Sequence, residues 1–237
     1  MIDLSQAIDD LVIANRILAH ENVVDGYGHV SFRHPERPDR FFISCSRAPA
    51  LVERDDIVEA GLDCKPIKPD GRTMYLEAPI HGAVYEARPD VMAVVHNHAH
   101  EVIPYSTSRV KLRPIIHSAG VIGIDIPVWD IRDAFGDTDM LVRNMEQGRD
   151  LAKRLGKNRV VLMRGHGCVV AAESLKAAVQ TAIYLMVNAK IQTDAMKFGE
   201  NTFLTDKEVA EIQSKQSPNV IARIWDYWAR RCSRPGA

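Results

Sequence analysis

Hydrophobic residues recur along much of the chain at intervals of three and four, the spacing of a helix that buries one face. Residues 3–20 and residues 76–90 follow this pattern, so we predict a helix in each. The same spacing predicts a helix over residues 146–156 and a long helix over residues 174–199. A further helix is predicted over residues 205–216, because this segment opens with a Thr-x-x-Glu capping pattern.

Short apolar runs between these helices predict strands. The segment RAPALVERDDIVEAGLD instead predicts loop and turn, and PDGR predicts a turn. The predicted strands are RFFISCS, VMAVVHNH, RPIIHSAGVIG, IPVWDI and RVVLMRGHGCVVAA. Helices flanking a mixed set of strands indicate the α/β class, so we expect a three-layer α/β/α sandwich around a mainly antiparallel or mixed sheet.

The composition fits one large domain that spans residues 1–237. The chain has 237 residues, of which 46% are hydrophobic, and no linker-like stretch divides it. A net charge of −1 gives no bulk attraction to nucleic acid or to a membrane surface. We find no apolar run long enough for a membrane span and no signal peptide. Because the four cysteines are scattered without a CxxC motif, we expect reduced thiols and a cytoplasmic protein.

Histidines cluster in the segment AVVHNHAHEV, residues 93–102. If the apolar run is a strand, His96 and His98 lie on one face, about 6.6 Å apart along the backbone. His100 has the same parity but lies beyond the apolar run, where we expect the chain to turn. The pair can bind a metal ion, since neutral imidazole is a common zinc ligand. It can equally be a pair of hydrogen-bonded histidines at a strand end.

A second candidate ligand follows the strand RVVLM. Glycines flank His166, which suggests a bent backbone or a close approach to another segment. With His96 and His98 it would complete a three-histidine face with open positions for substrate, but it can also be a turn histidine.

An acidic residue, Glu77, opens the short predicted helix. The helix dipole favours a carboxylate there whatever its function, so a structural acid and a general acid or base both remain open. His81 lies one helical turn further on, and we expect it to pair with Glu77 rather than to contact substrate.

These residues resemble the class II aldolase/adducin family. The resemblance rests on E-x-x-x-H at residues 77–81, on YEARPDVMAVVHNHA and on RGHG. It implies an α/β/α sandwich and one divalent metal ion per subunit held by His96, His98 and His166. It also implies that Glu77 is the acid or base and that the chain forms a tetramer with active sites between subunits. The donor set suits Zn²⁺ or Mn²⁺, and also Co²⁺ or Fe²⁺.

The sequence departs from the sugar-phosphate members of this family at their phosphate-binding loops. His29 in GHVS stands where those members carry asparagine, and bulky Tyr75 and Leu76 precede Glu77 where they carry small hydroxyl residues. Because a phosphate dianion needs several donors to replace its water, we expect the phosphate cradle to be lost. Ser118 also replaces a tyrosine that helps to protonate the substrate in aldolase relatives.

The replacement motifs resemble the decarboxylases of hydroxylated aromatic dicarboxylates, such as 3-hydroxy-2-methylpyridine-4,5-dicarboxylate or 3,4-dihydroxyphthalate. They are GHVSFRHP, SRAPALV, YLE, HSAG, WDIRDAFGDTDMLV and IWDYW. The resemblance therefore implies a metal-dependent, non-oxidative decarboxylase in aromatic or pyridine ring catabolism. Both decarboxylation and aldol cleavage need an electron sink, which a Lewis-acidic cation supplies. The alternatives are a retro-aldolase for a non-phosphorylated hydroxy-keto compound and, outside enzymes, an adducin-like scaffold.

Substrate contacts are expected from the two altered loops. His29 and Ser31 belong to the first, and Ser44 and Arg47 belong to the second. Arg47 and His29 are candidates to bind a substrate carboxylate, since arginine grips carboxylates through two hydrogen bonds. A surface arginine in a loop is the other interpretation of Arg47.

Two further catalytic candidates lie towards the C-terminus. His117 can contact the carboxylate or phenolate of the substrate, or it can be a packed strand-end histidine. Tyr227 matches a region from which relatives supply a tyrosine to a neighbouring subunit's site. It can also belong to an aromatic cluster with Trp225 and Trp228 that packs at an interface. We expect the C-terminal tail, about residues 205–237, to pack at such an interface.

Overall fold

One seven-stranded sheet organises the computed structural model, which describes residues 3–233. Its strands are β1 (His29–Arg33), β2 (Arg40–Ser44), β3 (Ile57–Gly61), β4 (Ala93–Asn97), β5 (Val128–Trp129), β6 (Val160–Met163) and β7 (Gly167–Ala172). They are arranged in the order β3-β2-β1-β4-β7-β6-β5. Every neighbouring pair is antiparallel except β5 and β6, which are parallel, so the mainly antiparallel sheet is confirmed.

Helices cover the sheet on both faces. They are α1 (Leu4–His20), α2 (Ala78–Ala87), α3 (Ile103–Thr107), α4 (Arg132–Phe135), α5 (Met145–Leu155), α6 (Leu175–Ala195), α7 (Asp206–Ser214) and α8 (Pro218–Cys232). The predicted capping pattern is confirmed, since the Thr205 side chain accepts from the Glu208 amide and the Glu208 side chain accepts from the Thr205 amide. Within the described residues, no helix combines the length and the apolar character that crossing a bilayer requires.

Two hydrophobic cores, one on each face, explain the apolar character of the central strands. Alternate residues of β4 enter opposite cores: Val95 packs with α1, α6 and α8, whereas Val94 packs with α2 and α5. Because side chains of a strand alternate between faces, a strand covered on both sides is apolar throughout. This arrangement confirms the three-layer α/β/α sandwich.

Two sequence predictions fail in the segments that join these layers. Residues 57–61 form the edge strand β3, although their segment was predicted to be loop and turn, because alternation over only five residues gives a weak signal. Residues 117–122 form a 3₁₀ helix instead of the predicted strand. The backbone of the preceding residues bonds to side chains of α6, Asn188 and Gln192, instead of to a neighbouring strand.

The predicted strand IPVWDI is shortened to the two residues of β5. RVVLMRGHGCVVAA divides into two antiparallel strands, β6 and β7, joined by a tight turn at His166.

The C-terminal helices pack on the body of their own chain. Trp225 and Trp228 are buried, 7% and 4% exposed, in the core formed with α1 and α6. These two tryptophans are therefore core residues of the single chain, which corrects the interpretation that they serve only at a subunit interface. Packing of residues 205–237 against another subunit stays a prediction, and residues 234–237 lie outside the described part of the chain.

Candidate active site

Four side chains from three separate segments converge at the ends of the central strands. His96 is the last residue but one of β4, His98 follows the strand, His166 occupies the turn between β6 and β7, and Glu77 precedes the first residue of α2. One potential ligand atom from each of them lies within 4.8 Å of the others. The Nε2 atom of His98 lies 3.0 Å from the Nε2 atoms of both His96 and His166. The predicted set of three histidines and one carboxylate is thus brought together.

Hydrogen bonds from the Nδ1 atoms of two of these histidines leave their Nε2 atoms available to bind a cation. Nδ1 of His96 lies 3.1 Å from the carbonyl of Cys168, and Nδ1 of His166 lies 3.1 Å from the carbonyl of Met140. Since a carbonyl can only accept, each Nδ1 carries the proton and each Nε2 presents a lone pair. The three Nε2 atoms then hold at most one proton, on His98, which cannot satisfy both of the 3.0 Å contacts that His98 makes. The donor set therefore fits a divalent metal ion.

Glycine makes the approach of these segments possible. A Cβ on Gly167 would lie 2.1 Å from the carbonyl oxygen of Asn97 and 3.0 Å from Cδ2 of His98. Gly165 has a φ of 63°, in the left-handed region that favours glycine. The prediction that the glycines around His166 permit bending and close approach is confirmed.

Glu77 is held beside the histidine cluster by both of its oxygens. Oε1 accepts the amide hydrogen of Val142 at 3.0 Å, and Oε2 lies 3.4 Å from Nε2 of His96 and 3.5 Å from Nε2 of His166. Burial alone would raise the pKa of Glu77. When His96 and His166 also carry a proton on Nε2, attraction to His96 and hydrogen bonds from both rings outweigh the effect of burial and hold the pKa of Glu77 well below its usual range.

Three histidines of this region, His98, His81 and His29, favour the neutral form. Burial, followed by repulsion from His96 and His166, lowers the pKa of His98 to about 3. Burial, with repulsion from His96, lowers the pKa of His81 to about 3. Burial and repulsion from His81 and His96 also lower the pKa of His29. Neutral imidazoles are the form that binds metal ions.

His81 does not pair with Glu77, which contradicts the sequence prediction. Its Nε2 lies 2.6 Å from Nδ1 of His29, and its Nδ1 lies 2.6 Å from Oγ of Ser31. Among the described residues, it makes no hydrogen bond to Glu77. Glu77 precedes the helix with non-helical backbone angles, so the i, i+4 relationship does not place the two side chains together.

A cavity of about 370 Å³ opens in front of the cluster. Its lining includes Glu77 and His98 together with His29 and the aromatic side chains of Tyr27 and Tyr75. The other residues of its lining are Gly26, Gly28, Ser46, Arg47, Ala48, Leu76 and Leu141. Flat apolar walls beside polar groups at one end are suited to a single aromatic ring that carries polar substituents.

Arg47 lines the cavity, on the loop after β2. Its Nε donates to the carbonyl of Leu51 and lies 3.1 Å from Oδ2 of Asp56. Its side chain is 43% exposed, so the guanidinium is held at the edge of the cavity with one side turned to an internal partner.

Ser31 and Ser44, both predicted to bind substrate, are fully buried behind the cavity wall. The hydroxyl of Ser31 bonds to His81 and to Tyr85, and the hydroxyl of Ser44 bonds to that of Tyr75 at 2.8 Å. Their placement corrects the prediction: the two serines support His81 and Tyr75 and do not face substrate. Ser31 shares the face of the sheet that Ile43 occupies and reaches α2 from there, whereas Ser44 is the last residue of β2 and reaches the Tyr75 hydroxyl from the strand end.

The remaining candidates lie elsewhere on the protomer. His117 is exposed at the start of its 3₁₀ helix, and Tyr227 is 56% exposed on α8, where the Arg231 guanidinium lies 5.2 Å from its ring centroid. Neither belongs to the lining of the cavity in the same chain. His100 is exposed and stands outside the histidine cluster, as expected.

Sequence reasoning missed the contribution of residues 140–142. The carbonyl of Met140 accepts from His166, Leu141 lines the cavity, and the amide of Val142 donates to Glu77. Met140 has a left-handed φ of 67°, an uncommon conformation that presents its carbonyl to the histidine. The contacts of Met140 and Val142 come from backbone atoms, so no side-chain pattern in the sequence could reveal them.

Comparisons with known proteins agree with this architecture. Residues 9–193 match the family described as class II aldolase and adducin N-terminal domain. The decarboxylase tropJ of Talaromyces stipitatus is 35% identical, over 93% of this chain and 91% of its own length. The 3,4-dihydroxyphthalate decarboxylase of Arthrobacter keyseri is 30% identical, over 87% of this chain and 86% of its own length.

The fold is also that of solved structures. A crystal structure of an aldolase II superfamily protein from Pseudomonas syringae superimposes with a TM-score of 0.80, at 23% identity over 98% of this chain and 93% of that one. At this identity the likeness shows the fold alone, whereas the decarboxylase and aldolase relatives together indicate a lyase.

Proposed function

Since this chain belongs to the class II aldolase and adducin family, we propose that it is a metal-dependent, non-oxidative decarboxylase of a hydroxylated aromatic carboxylate. One observation carries the proposal: three imidazole nitrogens and one carboxylate converge beside a cavity whose walls include Tyr27, Tyr75 and Leu76. The decarboxylases that match this chain over most of its length support it.

His96, His98 and His166 would hold the metal ion, with Zn²⁺ or Mn²⁺ as first choices and Co²⁺ or Fe²⁺ as others that suit these donors. A bound divalent cation supplies a Lewis acid that stabilises negative charge on the substrate.

Glu77 is the residue that we propose transfers the proton to the substrate. Glu77 lies at the edge of the cavity beside the cluster, and its carboxylate is positioned to carry a proton to the ring carbon that bears the departing carboxylate. Glu77 takes the proton of the adjacent hydroxyl and delivers it to this carbon, which converts the hydroxyl to a ketone, so the carboxylate lies β to a carbonyl. When CO₂ leaves, the electrons of the broken carbon–carbon bond restore the aromatic ring as a phenolate, which takes a proton from water, and a hydrogen has replaced the carboxylate.

Recognition of the ring follows from the cavity walls. Tyr75 is fixed in place because its hydroxyl bonds to Ser44 and to the carbonyl of Arg47, so its ring forms a rigid wall. Arg47 supplies positive charge at the cavity edge for a second carboxylate, while its Nε stays bonded to Leu51. Tyr75 and Leu76 also fill space where a sugar phosphate would need hydroxyl groups.

The assembly we propose is a homotetramer in the cytoplasm, with sites between subunits. His117 and Tyr227 are exposed and do not line the cavity of their own chain, so each would have to act in the site of a neighbouring subunit. Sedimentation analysis tests the tetramer. A mixture of Tyr227→Phe and His96→Ala subunits tests whether sites are shared, because shared sites would show subunit complementation.

The decisive experiment incubates metal-free protein, reloaded with Zn²⁺ or Mn²⁺, with 3,4-dihydroxyphthalate and related 2-hydroxylated aromatic acids. We expect CO₂ release that depends on the added metal. Release of pyruvate or an aldehyde from a hydroxy-keto compound, with no CO₂ from any aromatic acid, would instead identify a retro-aldolase.

Matched variants separate the site from its surroundings. The double variant His96→Ala/His98→Ala should lose metal binding and turnover while it stays folded. His100→Ala, an exposed histidine two residues from the pair, should keep both. Decarboxylation that survives in the folded double variant would refute the proposal.

A further inference from the structure

A buried chain of hydrogen bonds runs from the cavity into the layer between β1 and α2. Nδ1 of His29 lies 2.6 Å from Nε2 of His81, and Nδ1 of His81 lies 2.6 Å from Oγ of Ser31. The Ser31 hydroxyl lies 2.8 Å from the hydroxyl of Tyr85. All four residues are 4% exposed or less, so water does not compete for these bonds.

The hydrogen-bond chain follows from the residue spacing of one strand and one helix that pack together. His29 and Ser31 are two residues apart on β1 and share one face, while His81 and Tyr85 are four residues apart on α2 and share one side of the helix. A Cβ on Gly82 would lie 2.3 Å from the carbonyl oxygen of Leu62, so glycine lets α2 lie close to the rest of this layer.

The hydrogen-bond chain has a direction of donation, because each hydrogen bond contains one proton and therefore one donor. Among residues 3–233, the partners of the Tyr85 hydroxyl are the Ser31 hydroxyl and the backbone of Val94, and the Val94 contact acts to lower the phenol pKa, as an N–H donor does, which leaves Ser31 as the acceptor. If the phenol donates to Ser31, the serine donates to Nδ1 of His81, and Nε2–H of His81 donates to Nδ1 of His29. The opposite direction would leave the buried phenol hydrogen without an acceptor, which protein interiors avoid.

We propose that this chain of hydrogen bonds fixes the proton of the His29 ring on Nε2, and that His29 donates it to an anionic oxygen of the substrate. His29 is thereby a specificity-determining residue. The inference rests on the proposed function for the nature of that substrate, an aromatic carboxylate. His29 lines the cavity together with Glu77 and His98, and its Nε2 has no protein partner among the described residues. His81, Ser31 and Tyr85 are positioning residues that act through His29.

The first test reads the tautomers directly. In protein labelled with ¹⁵N-histidine and loaded with Zn²⁺, imidazole NMR should show His29 and His81 both protonated at Nε2, with assignments from His29→Gln and His81→Gln. Titration with 3,4-dihydroxyphthalate should shift the Nε2–H signal of His29. Protonation of His29 at Nδ1, or an unchanged signal at saturating ligand, would overturn the inference.

The second test removes the last hydroxyl of the hydrogen-bond chain, that of Tyr85. Tyr85→Phe removes the donor that sets the direction, so a mixture of tautomers should appear and the Kd for 3,4-dihydroxyphthalate should rise about 3- to 10-fold, as for a weakened hydrogen bond. Tyr105→Phe is the matched control, since its buried hydroxyl bonds to Thr193 and the Ala189 carbonyl on the other side of the sheet. Unchanged tautomers in Tyr85→Phe would contradict the assigned direction.

The third test varies His29 itself. His29→Phe keeps an aromatic ring without a donor and should raise the Kd about 10- to 100-fold, as for a lost bond to a charged group, whereas His29→Gln keeps an N–H and should lose less. Equal losses in both variants would count against a donor role. Because these readouts are tautomers and affinities, they can succeed even where no aromatic acid is decarboxylated, in which case only the proposed function fails.

Discussion

Replacing Gly167 by alanine tests how closely the turn that carries His166 must approach β4. A Cβ at this position would lie 2.1 Å from the carbonyl oxygen of Asn97, well inside the 3.0 Å that real Cβ contacts respect. The obstacle is backbone in the centre of the sheet, where β4 pairs with β7, so no side-chain rotation can relieve it. The two strands must separate locally by about 1 Å, which weakens their hydrogen bonds.

The expected cost lies at the upper end for overpacked sites, about 3 kcal/mol. For a chain of this length, each kcal/mol lowers the melting temperature by about 2–4 °C, so the Gly167→Ala variant should melt about 6–12 °C below the wild type. The same Cβ would lie 3.0 Å from Cδ2 of His98 and would displace that ring. Metal affinity should therefore fall about 10- to 100-fold, as for changes in the residues that support metal ligands.

Scanning calorimetry and competition with a zinc chelator measure the two effects. Gly26→Ala is the control, because a Cβ there meets nothing within 4 Å and its φ is outside the left-handed region. That variant should melt at or slightly above the wild-type temperature, since alanine reduces the freedom of the unfolded chain. A Gly167→Ala protein that keeps both its melting temperature and its zinc affinity would refute the close approach.

Three further predictions follow from buried titratable groups. Glu77→Gln should lower decarboxylation by a factor of about 10²–10⁴ while the protein still binds metal, as measured by turnover and metal analysis; equal activity would rule out Glu77 as the proton carrier. Burial raises the pKa of both Cys64 and Cys168 to about 12, so iodoacetamide at pH 8 should leave them unmodified in the folded protein, and mass spectrometry would reveal any labelling. Burial lowers the pKa of His81 to about 3, whereas in the unfolded chain this side chain binds a proton near pH 6.5, so the free energy of unfolding should fall as the pH drops below about 6.5. His81→Gln should reduce this pH dependence of the free energy of unfolding, as measured by urea unfolding at several pH values. A pH dependence equal to that of the wild type would contradict the prediction.

Hydrophobic spacing was sufficient to predict α1, α2, α5, α6 and α7 and the segments that contain β2, β4, β6 and β7, whereas β1 and α8 were not predicted. α1, α5 and α6 occupy nearly their predicted ranges because each buries a broad apolar face against a core. Weak or short patterns failed: β3 alternates over only five residues, and residues 117–122 are apolar enough for a strand yet wind into a 3₁₀ helix beside α6. Their conformation depends on partners distant in the chain, which local sequence does not specify.

The candidate metal ligands were predictable because their residue types and their positions along a strand indicate their chemistry. His96, His98, His166 and Glu77 were named from strand spacing, flanking glycines, a helix start and a family resemblance, and the structure brings all four together. The serines were misplaced, since Ser31 and Ser44 were assigned to substrate by loop position alone, and the fold turns both into the interior.

The sequence alone determined which side chains are able to bind a cation and which helices and strands carry them. Tertiary structure decided the rest: that His81 bonds to His29, that Ser31 and Tyr85 extend this chain, and that backbone groups of Met140 and Val142 hold His166 and Glu77. The physical reason is that residue type and periodicity are local properties. Hydrogen bonds between segments more than fifty residues apart depend on how layers pack, and backbone donors are the same at every position in the sequence.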